Sequence, residues 1–383
     1  MKYFFALMGS FAAVAVLTPL IRVLALKTGV LDIPDAPRKI HNRPTPLLGG
    51  LAVYAGFMAG MWYLALATPY LLFSSITIKH LAGISFAGLV LMIGGYLDDK
   101  KNLKPARQLI FTILAALVVI ASGIGVRQVT NPFGGVISLV SWERVLFWFH
   151  GVGYRVTLPA DIFTFVWLMI MMYTTKLLDG LDGLVSGVSA IGALMIFFLA
   201  TTTKYFQPEV GMLSIIAAGA FLGFLVWNWN PARIFLGTGG STLAGFLLGT
   251  LAIISGGKIA TALLVLGVPV LDTVWVIVRR AVFERKSPAL ADGKHLHFRL
   301  LEAGFSQRGA VVLLWVISAV FGATTLVLQS KQKLIALGVL VVVMMILAIV
   351  ILSRARRAKS KDLPLLPRRI RLGRRMWDAT DKL

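Results

Sequence analysis

Eleven predominantly apolar runs recur along the chain, at about 3–21, 48–68, 80–97, 108–126, 161–177, 184–203, 210–227, 241–256, 259–278, 309–328 and 334–353. A bilayer core demands roughly 17–25 such residues of a spanning helix. In hydrocarbon every backbone N–H and C=O must also be paired within the segment, which favours helices. The pattern predicts an all-α, polytopic integral membrane protein with about eleven transmembrane helices. Composition agrees: 58% of the 383 residues are hydrophobic and 14% charged, too little charge to cover a soluble protein of this length. The first run begins almost at Met1 without a small-residue cleavage site, so it reads as a retained span rather than a signal peptide.

Charge orients these spans. With eleven of them, the segments 22–47, 98–107, 176–183, 228–240, 279–308 and 354–383 fall on one side and hold 29 of the 38 Lys and Arg residues. The positive-inside rule makes that side cytoplasmic, with the N-terminus outside and the C-terminus in the cytoplasm of a cell inner membrane. Residues 1–353 then form a single transmembrane domain, and 354–383 a basic tail suited to anionic membrane lipids. The net charge of +22 is divided among loops and builds no single basic face, so nucleic acid is not an expected partner. The absence of cysteine excludes disulfides, thiolate catalysis and Cys-ligated metals. Between spans, 127–160 carries "TNPFGGVISLVSW", turn chemistry flanked by β-branched residues, which reads equally as a small extracytoplasmic hairpin and as a plain loop.

The informative polar residues gather at the predicted inner face. Asp98 and Asp99 end the third span in "LDDKKNLKPARQL", and Asp179 and Asp182 end the fifth in "KLLDGLDGL". Asp179 and Asp182 are three apart, which places them on one face of a helix. Two carboxylates about 4 Å apart repel by about 4 kcal/mol at an effective dielectric of 20. Two acidic pairs at one membrane face therefore call for a cation. Mg²⁺ fits, as a hard ion that takes carboxylate and phosphate oxygens together. A single acidic residue here would read as a cap or a solvated loop residue, whereas ionisable groups at membrane depth are functional by default. "GTGGS" is a Gly-rich turn before a helix, fit to present N–H groups to an anion. His295 and His297 are two apart and would converge only in a loop, where solvated histidines are common. Asp272, inside the ninth span, reads equally as a buried hydrogen-bonded carboxyl near Arg279 or Arg280 and as a catalytic group.

Taken together, "RKIHNRPTPLLGG", "LDDKKNLKPARQL", "DGLDGL", "FLGTGGST", "PVLDTVWVIVRR" and "HLHFRLLEAGFS", in that order over about residues 35–310, resemble the polyprenyl-phosphate N-acetylhexosamine-1-phosphate transferases. That family includes the undecaprenyl-phosphate GlcNAc-1-phosphate transferases and the phospho-MurNAc-pentapeptide translocases. The eleven spans look more like the first branch. The resemblance implies transfer of a sugar 1-phosphate such as GlcNAc 1-phosphate from a UDP-sugar to polyprenyl phosphate. UMP is released and Mg²⁺ assists, with Mn²⁺ as the alternative ion. It implies that Asp98, Asp99, Asp179 and Asp182 share metal binding and phosphate activation. Lys39, His41 and Arg43 would cradle phosphate, and His295, His297 and Arg299 would contact the nucleotide diphosphate. Lys176, Gly237, Thr238, Gly240 and Ser241 complete the expected substrate site, and a homodimer is an open expectation.

The sequence departs from the family pattern at five places: Leu47, Tyr173, Lys176, Thr238 and Phe298 stand where the family carries arginine, asparagine, asparagine, aspartate and histidine. Lys176, one turn before Asp179, is placed to pair with it. A catalytically altered or inactive homologue that binds polyprenyl lipid or scaffolds partners is therefore the alternative reading. A transporter would spread its carboxylates over several depths, whereas here nearly all lie at one face.

Overall fold

The computed structural model describes residues 1–34, 41, 43–68, 71–72, 76–131, 135–149, 152–202, 206–256, 259–284 and 295–360. All eleven apolar runs are helical. The first four are α1 (Lys2–Thr28), α2 (Gly49–Ala67), α3 (Ile78–Lys101) and α4 (Pro105–Ala121). Then come α5 (Leu158–Leu178), α6 (Leu184–Thr201), α7 (Pro208–Asn228) and α8 (Gly237–Ile254). After α9 (Ile259–Val265) and α10 (Gly267–Val278), a π-helical turn spans Arg279–Glu284. The short α11 (Leu296–Glu302) precedes α12 (Gln307–Val327) and α13 (Ser330–Ser360). Nine of the described helices are long and apolar enough to cross a membrane, and α9 with α10 makes a tenth if the bent pair counts as one span. The chain is thus an all-α multi-pass membrane protein. The fourth predicted span is a 17-residue helix, about 25 Å long at 1.5 Å per residue.

One expectation needs correction here. The ninth span is not continuous: it bends by 82° between Val265 and Gly267. Gly267 opens α10 and Pro269 lies in its first turn, where a missing N–H costs no helical bond. The final helix, α13, ends at Ser360.

Starts and stops follow local chemistry. Pro105, Pro159 and Pro208 sit in the first turns of α4, α5 and α7. Thr77 caps α3 with a capping box shared with His80. Small antiparallel pairs fill the connections: β1 (Leu31–Asp32) with β2 (Thr45–Pro46), β3 (Gln128–Thr130) with β4 (Val136–Ser138), and β5 (Glu143–Phe149) with β6 (Val152–Thr157). The 127–160 connection thus holds two hairpins.

The bundle is layered around α7 and α8, which are mostly buried, while α1 and α13 expose apolar surface outward. α8 is rich in Gly, Ser, Thr and Ala, residues that let helix backbones approach closely in lipid. An added Cβ on Gly50 would strike the Gly240 backbone, and one on Gly95 would strike the Gly239 backbone. Backbone contact therefore joins α2 and α3 to the first turn of α8, and this positions the site.

Candidate active site

Chain alternation brings one end of α3, α4, α5, α6, α7 and α8 together. Asp98 and Asp99 occupy the last turn of α3. Asp98 is buried and fully engaged. Its Oδ1 accepts from the Leu103 N–H at 3.0 Å and the Gln108 amide at 2.8 Å, and its Oδ2 accepts from the Thr238 hydroxyl at 2.8 Å. Asp99 accepts the Thr238 N–H, at 3.0 Å to Oδ1 and 3.2 Å to Oδ2. The Gly-rich segment is therefore the first turn of α8 rather than a turn before it, and the anion its Thr238 amide meets is an internal carboxylate. Gly237 permits this with φ +73°, and a side chain there would collide with Asp99.

"DGLDG" forms a turn. α5 stops at Leu178, Asp179 is its C-cap, and α6 starts after Gly183, at φ +78°. The expected helical i, i+3 face for Asp179 and Asp182 is absent, because glycines at 180 and 183 give the chain its exit from the helix. The two carboxylates have different surroundings. Asp182 Oδ2 accepts from Asn230 Nδ2 at 2.9 Å and from the Ala232 N–H at 3.0 Å. Asp179 keeps exposed surface yet lies deep among the surrounding protein atoms, beside the Ser241 hydroxyl. That depth, then the charges of Asp99 and Asp182, push its pKa up to about 7. Lys176 does not pair with Asp179: its ammonium donates to Gln108 Oε1 at 2.6 Å and lies 5.8 Å from the Tyr173 ring centre.

α11 closes one flank. His295 and His297 are buried, and their rings stack at 5.7 Å with planes 4° apart. They converge from the cap and first turn of a helix rather than from a solvated loop. Asp272 clasps that turn, with Oδ2 2.8 Å from His295 Nδ1 and Oδ1 accepting the Leu296 N–H at 2.9 Å. Its partner is thus His295, on a segment carried to it beyond the bend. His297 Nε2 is buried without a hydrogen-bond partner and lies against Gly180, where a side chain could not fit. Burial holds the His297 pKa down, to about 4. Arg299 sits in the last turn of α11.

Of the phosphate-cradle residues, His41 Nε2 lies 3.1 Å from the Asp32 carbonyl oxygen and its ring meets Phe235 edge-on at 5.2 Å. Arg43 is exposed, and Lys39 lies outside the described residues. Gly240 and Ser241 are buried in the first turns of α8, the Ser241 hydroxyl donating to the Gly237 carbonyl at 3.0 Å.

The sequence reading missed the neutral residues that tie the site together. Gln108 links Lys176 to Asp98. Asn228 is buried, takes Gly183 N–H and Ser186 hydroxyl donors on Oδ1, and donates to the Ile234 carbonyl. Asn230 holds Asp182 and Gln307. Asp32 adds a negative charge within reach of Asp179. "NWNPAR" and the Gln in "KPARQL" were the available signals: amides beside acidic motifs in an apolar chain.

A family model described as glycosyl transferase family 4 matches residues 81–256, from α3 through α8. The chain is 32% identical over 379 residues to the decaprenyl-phosphate N-acetylglucosaminephosphotransferase of Mycolicibacterium smegmatis, covering 91% of this chain and 89% of that protein. It is 27% identical over 347 residues to the probable undecaprenyl-phosphate N-acetylglucosaminyl 1-phosphate transferase of Bacillus subtilis, with 89% of each covered. It is 30% identical over 316 residues to the undecaprenyl-phosphate alpha-N-acetylglucosaminyl 1-phosphate transferase of Escherichia coli, covering 79% of this chain and 77% of that protein.

Proposed function

The chain belongs to glycosyl transferase family 4, as a glycosyl-1-phosphate transferase of the membrane, and from that premise we propose that it transfers N-acetylglucosamine 1-phosphate from UDP-GlcNAc to polyprenyl phosphate. The reaction takes place at the cytoplasmic face, where 29 of the 38 basic residues collect. It serves the building of cell-envelope polysaccharide. An oxygen of the lipid phosphate attacks the phosphorus that carries the sugar. The bond from that phosphorus to the bridging oxygen breaks, and UMP leaves. The observation that carries this reading is the convergence of Asp98, Asp99 and Asp179 with the first turn of α8 at one end of the bundle. Nothing in the comparisons favours the non-catalytic alternative.

Phosphoryl transfer asks a protein mainly for positioning and charge neutralisation. Asp179, whose pKa burial and its acidic neighbours push up to about 7, is the carboxylate that gains most from a cation beside it. Asp98 and Asp99 are fixed by Thr238, and His297 of α11 lies against Gly180 in the Asp179–Asp182 turn. Mg²⁺ (or Mn²⁺) is the ion this oxygen chemistry suits. Among the described residues no three acidic or His side chains are grouped to hold an ion alone. Asp99 and Asp179, which lie within electrostatic reach of each other, would hold it, with substrate phosphate oxygens completing the shell. Bound there, the ion would neutralise charge on the pyrophosphate. The test is UMP release by a membrane fraction given UDP-GlcNAc and polyprenyl phosphate. No release, with or without Mg²⁺, would overturn the proposal.

A further inference from the structure

Lys176 and Asp98 are joined through one amide. The half-buried ammonium at the end of α5 donates to Gln108 Oε1 at 2.6 Å, and Gln108 Nε2 donates to Asp98 Oδ1 at 2.8 Å. Lysine only donates and a carboxylate only accepts, so the amide has one orientation that serves both. The positive charge polarises the amide and strengthens its second bond, as in other hydrogen-bond chains. Lys176 also lies within electrostatic reach of both Asp98 and Asp99. Lysines near span ends commonly turn outward and place the ammonium in the headgroups. This one turns inward, toward the carboxylates of Asp98 and Asp99. On their other side stands a Thr238 hydroxyl, which adds a bond to Asp98 and no charge.

We propose that Lys176 is a built-in counter-cation of the acidic cluster, a positioning residue that supplies, through Gln108, part of the positive charge a divalent ion would bring. The substrate-free enzyme accordingly takes up a divalent ion weakly, and the ion arrives with the phosphates of the nucleotide. The proposal rests on the transferase reading only for what the cluster is used for.

The experiment is Mn²⁺ binding to the full-length protein purified in detergent, without nucleotide, read from the electron paramagnetic resonance signal of free Mn²⁺. Lys176→Gln is neutral and still able to bond Gln108, and it should bind Mn²⁺ at least about tenfold more tightly than the unmodified protein, a step of about 1.4 kcal/mol. Lys176→Met should do the same, and Lys176→Arg, which keeps the charge, should match the unmodified protein. The inference fails if a folded neutral variant binds Mn²⁺ no more tightly, or if Lys176→Arg binds as tightly as Lys176→Gln. It fails without any variant if the unmodified protein already binds nucleotide-free Mn²⁺ with a Kd of about 1 μM or below. UMP release measured on the same preparation tests the transferase reading separately, since these affinities do not depend on turnover.

Discussion

Asp98 accepts three hydrogen bonds and Asp99 a shared one, all from groups whose own positions are fixed by helix ends. Replacing either acid by its amide keeps the shape and removes the charge. Asp98→Asn or Asp99→Asn should lower UMP release by at least about a hundredfold, on the scale of other lost electrostatic groups. The purified yield and thermal unfolding should stay near those of the unmodified protein, and full activity in either variant would remove that acid from the mechanism. His297 gives a prediction of a different kind. Its folded pKa, about 4, lies below the ordinary value of 6.5. Above pH 6.5 the ring is neutral folded or unfolded, and it does not bias folding. Below that, the unfolded chain gains a proton that the folded one refuses. Stability should therefore fall as pH drops from about 6.5 to about 4, by roughly 3 kcal/mol at 1.36 kcal/mol per unit. His297→Asn should flatten that part of a pH-dependent unfolding curve. An unchanged slope would show that other groups set it.

At the scale of elements, backbone contacts between glycines decide where the site lies. Gly95→Ala pushes a methyl group against the Gly239 backbone, and neither chain can yield by changing rotamer. A cost of about 1–3 kcal/mol or more follows from overpacking, with loss of turnover as Thr238 moves away from Asp98 and Asp99. Gly9→Ala in α1, where an added Cβ meets nothing within 4 Å, is the control and should be neutral or slightly stabilising. Light scattering of thermal unfolding in detergent compares the two. The helices themselves were legible in the sequence, because length and apolarity are what a bilayer selects. The bend between Val265 and Gly267 was not, since both halves are equally apolar and only Gly267 and Pro269 marked the join. The acidic pairs stood out because carboxylates are rare in such a chain. Their spacing misled at Asp179 and Asp182, where three-residue separation matched a helix but Gly180 and Gly183 ended it. Gln108, Asn228 and Asn230 stood beside the acidic motifs, but an uncharged amide carries no sign of which distant carboxylate or carbonyl it will meet.

For the whole molecule, sidedness is the property most open to measurement. With 11 of the 38 basic residues beyond 353, a C-terminal epitope after Leu383 should be cut by protease only from the cytoplasmic side. Cleavage on intact cells would invert the topology. A second property follows from the glycine contacts that join α2, α3 and α8. Membranes differ in thickness, and a span that is too long or too short responds by tilting, at a cost of fractions of a kcal/mol per Å. In this protein the helices free to tilt are the outer ones, α1 and α13, which face outward over much of their length. The first turn of α8 meets α2 and α3 backbone to backbone and has no side-chain layer there to slide on. Stretching or thinning the surrounding lipid should therefore be absorbed at the rim, leaving the spacing of Asp98, Asp99 and Thr238 as it was. Reconstituted into phosphatidylcholine vesicles of 14-, 16-, 18- and 20-carbon acyl chains, with lipid substrate held at saturation, the protein should turn over at rates within about twofold of one another, since mismatch costs are small. A sharp optimum at one chain length would mean that the rim and the centre move as one body.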